Sequence, residues 1–176
     1  MELTRKQKTI KYLCFCLIIL LADLLQNTAG LFPQIFGARC FLLLPVAVIL
    51  AMSEDVFGGT LLGLFAGLLW DLSAAVHLGF NCIYIALICF LSSALVTYIA
   101  RNTFITNMIS SAVTIILYCI IYWLCFIIIK GVDGGEMTLF SFYLPCAVYT
   151  GVLSPVIWLI LTPIKRKLNH EKKQNF

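Results

Sequence analysis

The chain predicts an all-α integral membrane protein, a bundle of six transmembrane helices, and three observations carry that expectation. Hydrophobic residues make up 62% of the 176 and charged residues only 11%, with a mean hydropathy of +1.03. A soluble domain could not cover its surface with so few polar groups. The apolar residues come in runs, and roughly 20 helical residues cross a hydrocarbon core about 30 Å thick. The basic residues gather at the chain ends and at one short break between runs. Six spans of ~20 residues leave only short loops, so 1–176 reads as a single transmembrane domain whose chemistry, if any, sits in or near the bilayer.

The first span covers about 10–27, behind Arg5, Lys6, Lys8 and Lys11. Asp23 and Gln26 stand where a signal sequence would need a small-residue cleavage site, so the segment is read as retained. The next apolar core, 40–52, would cover only ~20 Å as a helix. It is therefore extended back to Pro33, giving a span over 33–53 with Arg39 in its outer portion and a kink at Pro45. Ser53, Glu54 and Asp55 form an inner turn before the third span, 56–75, and an outer turn at 76–79 precedes the fourth, 80–100. The fifth span, 106–129, is followed by the longest loop, 130–136, which has turn composition. The sixth, 140–162, carries Pro145, Gly151 and Pro155 and is expected to bend or unwind locally. Of the 12 Lys and Arg residues, only Arg39 and Lys130 fall outside, which places both termini in the cytoplasm.

The third span organises the rest. Gly59, Gly63, Gly67 and Asp71 recur every four residues, so they stack on one helix face as a flat groove with a carboxylate at its outer end. Each glycine lowers helix propensity by ~1 kcal/mol against alanine. In lipid, however, faces of small residues let helix backbones approach closely and so drive association. Packing against another helix of the same chain is favoured over contact with a separate protein, although one groove can serve both.

Asp23, Arg39 and Asp71 all fall in the outer third of their spans. A charge deep in the bilayer costs at least ~2.5 kcal/mol, so such groups face the bundle and find partners. Arg39 is expected to pair with Asp71 or Asp23, in a bridge that fixes the register of the first three helices. Gln26 and Asn81 are expected to cap helix ends or bond across helices, and His77 reads as a solvated turn residue. Glu54 and Asp55 could dock a basic segment of a partner, but acids that open a helix also favour its dipole, and that reading is preferred.

Several function classes find no support. The eight cysteines lie in or beside apolar runs without a Cys-x-x-Cys pair, and only two histidines accompany them. They read as small apolar fillers, and no metal or other cofactor is expected. Serines lack a histidine neighbour except Ser73 with His77, which has no third member, and no phosphate loop or His-x-x-x-His motif occurs. No enzyme activity and no nucleic-acid partner are expected. The basic tail follows from the positive-inside rule.

Pro45, the acidic turn at Glu54, the run from Gly59 to Asp71 and Leu78-Gly79 together resemble the rod shape-determining MreD family of bacterial inner-membrane proteins. Size, six-span layout and basic ends agree with it. The resemblance implies a non-enzymatic scaffold of the cell-elongation machinery, supporting lateral peptidoglycan synthesis. Such a scaffold would bind the membrane-anchored MreC and help link MreB filaments to a RodA-type glycan polymerase and a class B penicillin-binding transpeptidase. It also implies a fold like the S component of energy-coupling-factor transporters, with Gly59, Gly63, Gly67 and Asp71 shaping a pocket and a partner surface. A vitamin-binding S component is the alternative function, but such proteins dock through an Ala-x-x-x-Ala face in the first span. Here that span offers only Ala22 and Ala29, seven apart.

Overall fold

Hydrocarbon offers no partner for a backbone N–H or C=O, so each apolar run must satisfy its own hydrogen bonds, and helices result. The computed structural model describes residues 5–28, 39–74, 79–129 and 135–169. Its helices are α1 (Arg5–Asn27), α2 (Leu43–Ala51), α3 (Val56–Ala74), α4 (Phe80–Tyr98), α5 (Phe104–Trp123), α6 (Gly135–Thr138) and α7 (Leu144–Asn169). A π-helical turn, Leu124–Ile128, continues α5, and a second, Leu139–Tyr143, joins α6 to α7. Among the described residues there is no strand, and five helical stretches are long and apolar enough to cross a membrane: Lys6–Asn27, Val56–Ala74, Phe80–Tyr98, Phe104–Ile128 and Leu139–Leu168.

The second run departs from the continuous span expected over 33–53. Residues 33–38, Pro33 among them, lie outside the described residues. Residues 39–41 are irregular, and α2 has only nine residues, about 13 Å at 1.5 Å each. That is less than half of the ~30 Å core. All nine are buried, as suits a helix that is apolar on every side, and α2 packs against α1, α3, α4, α5 and α7. Pro45 does not kink a span. It is the third residue of α2, in the first turn, where a missing N–H has no helical acceptor to lose.

A short helix buried in protein leaves groups at both ends that water cannot reach, and here its own lead-in, the surrounding helices and one loop supply their partners. At the start, the Leu43 N–H donates to Gln26 Oε1 of α1 (2.9 Å), the Leu44 N–H to Phe41 O (3.2 Å) and the Val46 N–H to Leu42 O (3.4 Å). The irregular lead-in is held from α7, with the Phe41 N–H on Thr150 Oγ1 (3.0 Å) and the Arg39 N–H on Cys146 Sγ (3.1 Å). At the far end Lys165 Nζ donates to Ile49 O (3.2 Å), Ser93 Oγ to Ala51 O (3.0 Å) and Asn102 Nδ2 to Met52 O (2.7 Å). Lys165 also sets a cation at the negative end of the helix dipole.

α7 is a continuous helix over 26 residues and does not unwind at Pro155, and the local departure expected in this span falls at the π-helical turn before Pro145. Pro155 cannot donate to Gly151 O, but Ser154 Oγ does so instead at 2.8 Å. The π-helical turn Leu139–Tyr143 ends just before Pro145, so the wider turn falls where a proline ring would otherwise crowd the preceding carbonyls.

Replacing Gln26 by Leu or Thr150 by Val should each lower the unfolding free energy by about 1–3 kcal/mol, because each leaves a buried N–H without an acceptor. Denaturant unfolding of the detergent-solubilised protein measures this. Wild-type stability in both variants would mean that side-chain capping does not hold α2.

Candidate functional site

The glycine face of α3 is closed by α4. A Cβ on Gly63 would lie 2.6 Å from Cys89 Cβ and 2.8 Å from Ile85 O, and one on Gly67 would lie 2.4 Å from Cys82 Cα. At Gly59 it would run into the Ser93 hydroxyl. Both sides of the seam are therefore small: glycines on α3 meet Cys82, Cys89 and Ser93 on α4, and the two helices pack more closely than any other pair. The cysteines act here as the small fillers the sequence suggested. The groove is an internal joint, the packing favoured from the sequence, and the backbone of α4 lies where the resemblance implied a pocket or partner surface at Gly59, Gly63 and Gly67.

Asp71 closes the outer end of this joint by capping the next helix. Its Oδ2 accepts from the Gly79 N–H (2.9 Å) and the Cys82 N–H (3.0 Å), and its Oδ1 from the Asn81 N–H (3.2 Å) and Asn81 Nδ2 (2.9 Å). These backbone donors belong to the first turn of α4 and the residue before it, where helical partners are lacking and the dipole favours an anion. Gly79 makes the turn possible with φ at +92°, a conformation open to glycine. Asn81 Oδ1 in turn accepts from the Tyr118 hydroxyl (2.9 Å), which carries the network to α5.

Through Asn81 the network reaches a cluster of rings. Tyr118 lies 5.2 Å from Trp70, 5.4 Å from Phe41, 5.3 Å from Tyr84 and 5.7 Å from Tyr122, centroid to centroid. Tyr84 reaches across to donate to Thr114 O at 2.7 Å. Among the described residues, Asp71 and Asn81 are thus engaged in hydrogen bonds that build the fold. His77 lies outside the described residues.

The model of the rod shape-determining protein MreD family matches residues 6–168. The chain belongs to the MreD family. No curated protein and no solved structure is detectably similar to it. The family match covers the seam, Asp71 and every helix that surrounds α2.

Two charged expectations for this family member need correction. Arg39 is exposed and pairs with neither Asp23 nor Asp71. Asp71 is satisfied by four neutral donors. Asp23 accepts from Ser73 Oγ (2.6 Å) and Asn27 Nδ2 (3.1 Å), which ties α1 to α3 without a cation. A carboxylate supplied with N–H and O–H donors needs no buried counter-ion, and an arginine left at the surface avoids desolvation.

Glu54 and Asp55 also part company. Asp55 is exposed, and Oδ2 faces the Gly58 N–H at 3.5 Å in the first turn of α3, in keeping with the dipole reading. The Glu54 side chain is buried and lies 2.5 Å from Lys11 Nζ of α1, a charge contact between side chains only 4% and 9% exposed. It is therefore not a free docking group. Burial pushes the Glu54 carboxyl above its ordinary value, with the Lys11 ammonium and the Tyr12 hydroxyl opposing. A raised carboxyl favours the protonated form in the fold, so its stabilising contribution is present at low pH and is lost as pH rises through the raised value. The pair consequently fixes α1 against the α2–α3 turn more than it stabilises the bundle. Reading charges by side of the membrane could not have found this pair, because both residues lie on the same side.

Asp71→Leu should cost on the order of 3 kcal/mol of unfolding free energy and Asp71→Asn about half of that, since asparagine keeps one acceptor oxygen. The ordering is read from denaturant midpoints, and equal effects would argue against capping. Lys11→Met should lose about 3 kcal/mol by stranding a buried carboxylate, while Lys11→Met with Glu54→Gln should recover more than half. A double variant no better than the single one would remove the pairing.

Proposed function

We propose that this protein is a non-enzymatic membrane scaffold of the bacterial cell-elongation machinery, set in the inner membrane with both termini cytoplasmic. In this reading it binds a membrane-anchored MreC-like protein. Through that protein it links MreB filaments to a RodA-type polymerase and a class B penicillin-binding transpeptidase. The observation that carries the proposal is the family match across 6–168, a family of rod shape-determining proteins.

The geometry agrees with a scaffold. Asp71, the residue best placed for acid–base work, is held by four hydrogen bonds that build the fold. Asp23 and Glu54 are likewise engaged within the bundle. With the glycine seam covered by α4, the partner must meet the outer faces of the bundle.

The full-length chain should co-purify with an MreC-like protein from detergent-solubilised membranes, and its depletion should turn rods into spheres. Retention of rod shape on depletion, with no such co-purification, would overturn the scaffold role.

A further inference from the structure

Although α4 and α5 follow one another in the chain, they touch at few points and leave a groove of about 330 Å³ between them. It is open along one side and lined by apolar residues such as Ile88, Leu95, Val113 and Leu117. Four hydroxyls also line it, and all four are engaged. Ser92 and Ser110 share a hydrogen bond of 3.0 Å, Thr114 Oγ1 donates to Ser110 O at 2.8 Å, and Thr106 shares one of 2.9 Å with Thr103. A groove whose polar atoms are already satisfied suits an apolar occupant.

Its dimensions discriminate between occupants. The lining along α5 runs from Thr106 to Leu117, roughly 16 Å at 1.5 Å per residue. That is about half of a ~30 Å hydrocarbon core, one leaflet deep. A groove half a core deep suits one hydrocarbon chain of a single leaflet, whereas a transmembrane helix would need a seam along the whole core. The groove ends at the loop between α4 and α5, on the side of the termini, where Arg101 is exposed and Tyr98 is 79% exposed beside it. A cation and an aromatic residue at that depth suit a phosphate headgroup and the interface.

We propose that the α4–α5 groove seats one acyl chain of an anionic glycerophospholipid from the leaflet on the termini side, with its phosphate at Arg101. Binding of this kind does not depend on the scaffold role, so the two can fail separately.

Native mass spectrometry of the full chain, supplied with phosphatidylglycerol or phosphatidylethanolamine of identical chains, tests it. The wild type should retain one lipid, with phosphatidylglycerol favoured roughly fivefold, about what one surface cation contributes. Val113→Phe, at a half-exposed lining position, should cut retention of both lipids roughly tenfold, as expected for about two methylenes left unburied. Arg101→Gln should abolish the headgroup preference and leave chain binding in place. A photoreactive residue at Ile109, which is 59% exposed in the groove, should crosslink lipid in native membranes even if the phenylalanine variant misfolds. The proposal is overturned if the wild type retains no lipid, if Val113→Phe retains it undiminished, if the preference survives Arg101→Gln, or if the Ile109 probe captures protein instead of lipid.

Discussion

A backbone buried away from water must find every hydrogen-bond partner inside the protein, and the nine residues of α2 make that constraint acute. A long span closes its own ladder and leaves its ends near the interface, where water and headgroups serve. α2 ends inside the bundle. Gln26 from α1, Thr150, Cys146 and Lys165 from α7, Ser93 from α4 and Asn102 from the following loop all donate to or accept from its ends and lead-in. These contacts join four segments around one short helix. The position of α2 therefore determines how α1, α4 and α7 sit relative to one another, and disturbing one contact leaves a buried group unpaired.

The same constraint explains Asp71. The first turn of α4 needs acceptors, and the carboxylate reaches it only because the glycine seam brings α3 and α4 so close. Side chains at 63 and 67 would push the helices apart, and the cap would lose its reach. Seam and cap are thus one device, and the hydrogen bond from Tyr118 through Asn81 extends it to the ring cluster on α5. An acid that looks like a functional handle in the sequence is spent on structure.

Helices α3 and α4 were legible because period and composition coincide there: small residues every four positions, bounded by an acidic turn and by Gly79. The end of α1 near Asn27 was equally plain. The second segment was not, since hydropathy counts apolar residues and does not reveal whether lipid or protein surrounds them. Thirteen apolar residues invited extension to a full span, and the true solution, a short helix capped by distant side chains, has no local signature. Arg39 misled for a related reason: charge suggests a counter-charge, whereas the carboxylates found neutral donors, on the next helix for Asp71 and on Asn27 and Ser73 for Asp23. In α7 the prolines were visible, but their repair by Ser154 and by a π-helical turn depended on where the missing donors fell.

Side-chain size also explains why the bundle is shut on one side of α4 and open on the other. Toward α3 the helix presents Cys82, Cys89 and Ser93, and the backbones meet. Toward α5 it presents Ile88, Leu91 and Leu95, which with Ile109, Val113 and Leu117 line the open groove. Tyr84 and Ser92 bridge the gap at two heights, so the separation is braced. In water such a gap would collapse under the hydrophobic effect. In a bilayer that force is absent between apolar surfaces, and an open apolar groove is stable because hydrocarbon can fill it as well as protein can.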